Sequence, residues 1–373
     1  MIFEYNLKLL FVKIFFILTF QFEVFASSKL DCNERAFYVN NVISDAMHED
    51  LTKAKSKAEE KGRLIAFNQL LNRLTLRKQI KDSYKIDLNK MINFIKINNE
   101  ANSTNQFLGS FDFCFNRDEV VKFFKKENLN FAEVFSLPIS IFPIYEGPSG
   151  YVFLDEKDTW YELWKNFLKT NDSLLKFKLS TGNLALKRSI KGKEIINSNK
   201  NVLKKIIKND STKRILVVIL EPKLGRFGKY QLKISGKLFN ESGEFDQTIF
   251  SKSRNYENFK SITILNKDSL LKDIRELVYV FEESWKKNNF FNEGLITFVD
   301  VYIPIQRMQD WSNSLLLLNN LPYMKKINIV GLRGDVGKVS LGFQGTNNTF
   351  FNILNEKGDK LKQVNDEFIL IKK

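Results

Sequence analysis

Small and apolar residues recur every four positions at Ala54, Ala58 and Gly62, and the same face continues through Ile65, Ala66, Leu70 and Leu74. This spacing predicts one helix over residues 49–75, with a face that is small at its start and bulky at its end. Such a face lies flat on a sheet. FYVNNVIS (37–44) before it reads as a strand, and MINFIKI (91–97) and FLGSFDFCF (107–115) after it read as two more around the polar turn NNEANSTNQ. Asn116, with Glu119 three residues on, caps a helix through Val120, Val121, Phe123 and Phe124. The order is β-α-β-β-α.

Pro138, Pro143 and Pro148 cluster with Gly147 and Gly150 around the apolar strand LPISIFPIY, where a second domain begins. In DTWYELW, Thr159 and Glu162 have capping-box spacing, and Trp160, Trp164 and Leu168 share a face that reads as core. A short helix over 202–208 leads into ILVVIL (215–220), a run suited to a strand buried on both sides. YQLKISGKLF and EFDQTIFSKS alternate as strands, and Leu271, Ile274, Leu277, Val278, Phe281 and Trp285 form the stripe of a helix over 268–288. Gly225-Arg226-Phe227-Gly228 superficially resembles a phosphate loop. It lacks the following Lys-Ser/Thr and lies between strands, so a hairpin connection is the reading.

From residue 295 the first pattern returns: a strand (LITFVDVYIP), a helix, the hairpin pair MKKINIVGLRG and GKVSLGFQGT, a helix, and the closing strand DEFILIKK. This β-α-β-β-α-β order is that of a ferredoxin-like sandwich. The glycines of GLRGDVGK sit at the hairpin tip, where positive φ calls for them. The fold expectation is therefore α+β and α/β: ferredoxin-like β-α-β-β-α modules over 27–137 and 291–373, flanking a central α/β domain over 138–290.

The start of the chain belongs to none of these. Lys8 and Lys13 precede the apolar run Ile14–Phe20, and Val24-Phe25-Ala26 ends it before two serines. That layout predicts a secretory signal peptide over residues 1–26, and hence a periplasmic protein. The alternative is an uncleaved N-terminal anchor, although Lys13, Gln21 and Glu23 interrupt the ~20 apolar residues that a spanning helix wants.

The formal net charge is +15, carried mostly by scattered lysine. No stripe of interleaved basic and aromatic residues accompanies it, so nucleic acid is not an expected partner. A solvated basic surface accounts for the charge, with peripheral contact to anionic lipid headgroups as the main alternative. The only histidine is His48, at the entry to the first helix. Multi-histidine zinc sites are thereby excluded, and a Ser-His or Cys-His nucleophile system would have to use that one ring. No metal or cofactor is expected. Cys32 and Cys114 are the only cysteines. An even pair in an exported chain reads as a disulfide, and first and third strands paired as neighbours would bring the two together.

The candidate chemistry is thin. Asp155, Glu156 and Asp158 precede the Trp160 helix, and paired carboxylates can perform acid-base work without histidine. They are the candidate residues of a hydrolase or small-ligand-binding protein. The same acids at a helix N-terminus also complement its dipole.

AKSKAEEKGRLIAFNQLLNRLT, in which Gly62, Arg63, Arg73, Leu74 and Thr75 stand at the matching positions, resembles an exported proteobacterial family, domain-of-unknown-function family 2066. The resemblance extends through residues 111–147 and the Trp160–Trp164 segment. It implies envelope location and architecture and carries over no catalytic residue. More distantly, small modules flanking an α/β unit are similar to periplasmic scaffold proteins of the flagellar and Tol types. The expectation is a non-enzymatic envelope protein that binds other envelope proteins.

Overall fold

The computed structural model describes residues 32, 35–147, 149–224, 230–256, 267–291, 296–321, 323–357, 360–364 and 367–371. The proposed signal peptide and the Gly225–Gly228 loop lie outside the described residues. Ala36–Lys373 form one compact unit, a mixed α/β structure with three sheets and ten α-helices among the described residues.

The first sheet holds β1 (Tyr38–Met47), β2 (Ile92–Asn102) and β3 (Gln106–Phe115) in the order β1-β3-β2, all antiparallel. Helix α1 (Leu51–Leu74) crosses one face of it, capped by the Asp50 carboxylate. The four-residue stripe is the buried side: Ala54, Ala58, Ala66, Leu70 and Leu74 have no exposed surface. A Cβ on Gly62 would lie 3.0 Å from the Ser44 hydroxyl and 3.2 Å from the Phe113 ring, so the close approach of helix to sheet depends on the small residue. The expected nine-residue turn is mostly strand. β2 runs to Asn102 because its polar residues face water on an edge, and the reversal is completed by the Ser103 amide donating to the Gln106 carbonyl. Short α2 (Leu88–Met91) precedes β2, and α3 (Arg117–Lys126) follows β3 with Asn116 as its cap.

The second sheet contains β4 (Ile139–Gly147), β5 (Gly150–Phe153), β6 (Phe177–Leu179), β7 (Arg214–Leu224), β8 (Tyr230–Phe239) and β9 (Phe245–Tyr256). Its order is β5-β4-β7-β8-β9 with β6 also beside β4, and β4 and β7 run parallel. Helix α4 (Thr159–Thr170) lies on one face, and α5 (Leu184–Ser189), α6 (Gly192–Ile196) and α7 (Lys200–Asp210) on the other. The continuous apolar run of β7 follows from this layering. Leu216, Val218 and Leu220 join Trp160 and Trp164 in one core, while Ile215, Val217 and Ile219 join Leu203, Ile206 and Ile207 in another. Helix α8 (Lys267–Asn288) adds to the first of these cores. Its buried stripe starts at Leu270 rather than Leu271. That same core includes Phe37, Leu70, Phe111 and Phe124, so the first sheet and the central sheet share one interior across residues 137 and 138.

The third sheet is built from β10 (Ile296–Pro304), β11 (Met324–Arg333), β12 (Val336–Gln344), β13 (Lys360–Val364) and β14 (Glu367–Ile371), in the order β11-β12-β10-β14-β13. Helices α9 (Met308–Asn319) and α10 (Asn347–Lys357) cover one face, where Val301, Val339, Leu341 and Phe343 meet Trp311, Leu318, Phe350 and Leu354. The sequence showed one closing strand, but there are two. β13 pairs antiparallel with β14, and β14 inserts next to β10 and parallel to it. β13 keeps the direction of the fourth ferredoxin strand but sits one place further out. At the β11–β12 tip only Gly334 has positive φ, at 56°. Gly337 serves a different need: a Cβ there would run into the Trp311 ring.

Candidate binding surfaces

The three sequence-nominated carboxylates fall on one turn and do not converge on a shared centre. Asp155 and Glu156 are exposed. Asp155 accepts from the Lys157 amide at 3.1 Å, and Glu156 lies 3.4 Å from the Lys165 ammonium. Asp158, and not Thr159, caps α4, accepting from the amides of Trp160 at 2.9 Å and Tyr161 at 3.1 Å. Thr159 is the first helical residue, so the cap lies one position upstream of the expected one and the Thr159–Glu162 capping box does not form. Burial raises the Asp158 pKa, against the lowering by its bonds to the Tyr161 amide, the Tyr145 hydroxyl and the Trp160 amide. Burial, and then the Asp158 charge, pushes the Tyr145 phenol up to about 12. The group thus behaves as a helix entry: two solvated acids and one capping acid.

His48 has a comparable local role, its Nδ1 accepting from the Asp50 amide at 2.9 Å just before α1. Cys32 and Cys114 are both disulfide-bonded. Cys114 lies opposite Tyr38 on the β1–β3 ladder. Tyr38 in turn donates to Asp112 at 2.5 Å, and Asp112 also accepts from the Asn41 amide at 2.8 Å. This holds Asn41 at a φ of 58° within the β1 irregularity.

Two features were not legible in the sequence. The first is the β11 edge. Among the described residues β11 pairs with β12 on one side only, and its register slips between Ile329 and Gly331. Lys325 and Lys326 guard its beginning, but from Ile327 to Leu332 no charged side chain stands on it. Ile329, Val330 and Leu332 are 55%, 57% and 49% exposed. Edges with this character are templates for pairing with another chain, and most natural edges are blunted by charge. On the uncovered face of the same sheet, Phe298 is 60% exposed and lies across Gly342 beside Lys326. Lys326 and the Lys338–Asp300 ion pair, 3.0 Å apart, stand between this ring and the apolar residues of the edge.

The second feature is a cleft of about 770 Å³ between α1, α4 and α8. Gln69 and Asn72 come from α1, Asn166 and Phe167 from α4, and Arg275 and Tyr279 from α8. Arg77, just past α1, stacks its guanidinium 4.8 Å from the Tyr279 ring centre. Asp172 pairs with Arg73, which also donates to the carbonyls of Ala36 and Tyr38 at 2.9 and 2.8 Å. Glu282, on the cleft wall, has its pKa raised by burial, opposed by a hydrogen bond to Ser173 and by the charges of Lys286 and Arg77. These residues are separated by more than two hundred positions, and only the packing of α8 against α1 and α4 unites them. Arg73 was the one visible signal: an arginine at the end of an otherwise apolar helix face.

No helix among the described residues is long and apolar enough to cross a membrane. No family model matches the chain, and no curated protein matches it. Among solved structures it is similar to the lipoprotein GNA1162 from Neisseria meningitidis, at 11% identity over 38% of this chain and 95% of that one, with a TM-score of 0.22.

Proposed function

We propose that this chain is a non-enzymatic periplasmic protein that binds another envelope protein, and that the β11 edge is where it does so. The observation that carries the reading is the uncharged segment Ile327–Leu332, with Ile329, Val330 and Leu332 exposed, on an edge that pairs with no further strand among the described residues. Strand addition uses just these parts: main-chain hydrogen bonds supply affinity, and side-chain pockets on the flanking face supply selectivity. The partner segment is then an extended strand with apolar residues at alternate positions. The basic, apolar start of the sequence supports export. The engagement of Asp158 as a helix cap supports the non-catalytic reading.

The test is site-specific photocrosslinking in intact cells. A photoreactive residue at Val330 is expected to give one discrete adduct, lost when Ile329→Lys and Leu332→Lys are introduced together. The same residue at Leu184, which is 73% exposed elsewhere, should not give that adduct. Equal crosslinking from both positions, or none from Val330, would overturn the reading.

A further inference from the structure

We propose that the cleft between α1, α4 and α8 is a second binding site, and that its ligand is a neutral oligosaccharide. Its volume, about 770 Å³, lies within the range of small-ligand sites. The first argument is charge. The walls carry two arginines, Arg77 and Arg275, and two carboxylates, Asp172 and Glu282, and with Arg73 paired to Asp172 the formal charge comes to only +1. On a chain of net charge +15, that balance is local. An anionic ligand would find a stronger field on the lysine-bearing surface than here. A cationic one would meet arginines beside each carboxylate.

The second argument is the type of polar group. Gln69, Asn72, Asn166 and Asn171 place four carboxamides around the opening; the Asn72 amide donates to the Asn68 carbonyl at 2.8 Å, the Asn166 oxygen accepts from Lys169 at 3.3 Å, and the Thr170 hydroxyl beside them donates to the Phe167 carbonyl at 3.2 Å. A carboxamide offers donor and acceptor together, in one plane. Vicinal sugar hydroxyls are likewise donor and acceptor together, and two neighbouring ones match one carboxamide. A peptide would satisfy some of these groups, but its own amide pairs are spaced along a backbone and not presented as adjacent hydroxyls. The third argument is the apolar floor of Leu163, Phe167, Leu271 and Val278. The Tyr279 ring is already engaged by Arg77, whereas Phe167 is half-buried, with its other neighbour Trp164 edge-on at 6.1 Å. A partly exposed ring beside carboxamides suits the C–H face of a pyranose.

Isothermal titration of the purified chain with maltotriose, cellotriose and chitotriose, and with a sulfated oligosaccharide as anionic control, tests this. At least one trisaccharide should bind saturably in the micromolar to millimolar range, with an affinity unchanged between low and high salt, as a neutral ligand requires. Phe167→Ala and Asn166→Ala should each weaken it by about tenfold, the equivalent of 1.4 kcal/mol. Asn166 is exposed, so Asn166→Ala keeps the test valid if the Phe167 variant fails to fold. Three results would overturn the proposal: no saturable binding of any of the three, binding that survives both substitutions, or binding only of a sulfated oligosaccharide with steep salt dependence. The last would assign carbohydrate affinity to the basic surface. Because the cleft and the β11 edge are separate, Ile329→Lys with Leu332→Lys should leave trisaccharide binding intact.

Discussion

Lys286 of α8 donates to the carbonyl of Asn72 at 2.6 Å, and so reaches from the central layer into the last turn of α1. A second bond goes to the Thr75 carbonyl at 2.8 Å, and Glu283 lies 3.3 Å away. The last carbonyls of a helix lack intrahelical partners, and here an ammonium from another layer supplies them. The side chain is only 3% exposed, so the two layers are joined by a buried, charge-assisted contact.

Replacing Lys286 by Met should therefore cost about 3 kcal/mol, because it leaves two carbonyls and the buried Glu283 carboxylate without their donor. Urea unfolding of the variant measures this. Lys287→Met, one residue on and exposed, should change stability by less than about 0.5 kcal/mol.

The same lysine predicts a pH dependence. Burial lowers the Lys286 pKa from the usual 10.5, against the raising effect of Glu283. The unfolded chain then holds this proton more tightly than the folded one, so stability gains a further increment as pH rises between the folded and unfolded values, and that increment is lost as pH falls through the folded pKa. The difference in unfolding free energy between the natural chain and Lys286→Met should widen as pH rises toward 10.5. A gap that stays constant through the alkaline range would refute it.

The cap of α4 separates two adjacent residues. Asp158→Ala removes an acceptor for two amides and should destabilise by about 1 kcal/mol, while Thr159→Ala should cost only a few tenths. If Thr159 proved the costlier site by denaturant unfolding, the cap would belong to it after all.

Two glycines of one hairpin should respond differently to the same substitution. Gly337→Ala forces a methyl into the Trp311 ring and should cost about 1–3 kcal/mol, with a shift in tryptophan emission. Gly331 has open space around it, and Gly331→Ala should stay within about 0.5 kcal/mol.

Reduction of the disulfide should lower stability by about 2–5 kcal/mol, since a bridge between Cys32 and Cys114 closes a long loop in the unfolded chain. Thermal melts with and without reductant measure it. Cys114→Ser should reproduce the reduced midpoint and be insensitive to reductant.

Most of the elements were legible in the sequence because their information is local. The repeat at Ala54, Ala58 and Gly62 fixes which side of α1 meets a sheet. Asn116 stops β3 and starts α3. ILVVIL has no polar position to turn outward, so β7 had to lie between two layers. The errors were also local: the capping residue displaced by one, and a polar segment taken for a turn when edge-strand residues can be polar and still paired.

Only the tertiary structure decided what those elements bring together. Whether β14 pairs parallel to β10 depends on β13 competing for the same edge, a choice between two ladders that no period in the chain encodes. The cleft depends on α8 returning to α1 after two hundred residues, and the reach of Lys286 to Asn72 is the contact that holds them. Hydrophobic periodicity sets which face of an element is buried, because burial acts on each side chain through its neighbours in the same turn or strand. Which elements meet is set by packing and by buried polar groups finding partners, and those energies exist only once distant parts of the chain touch.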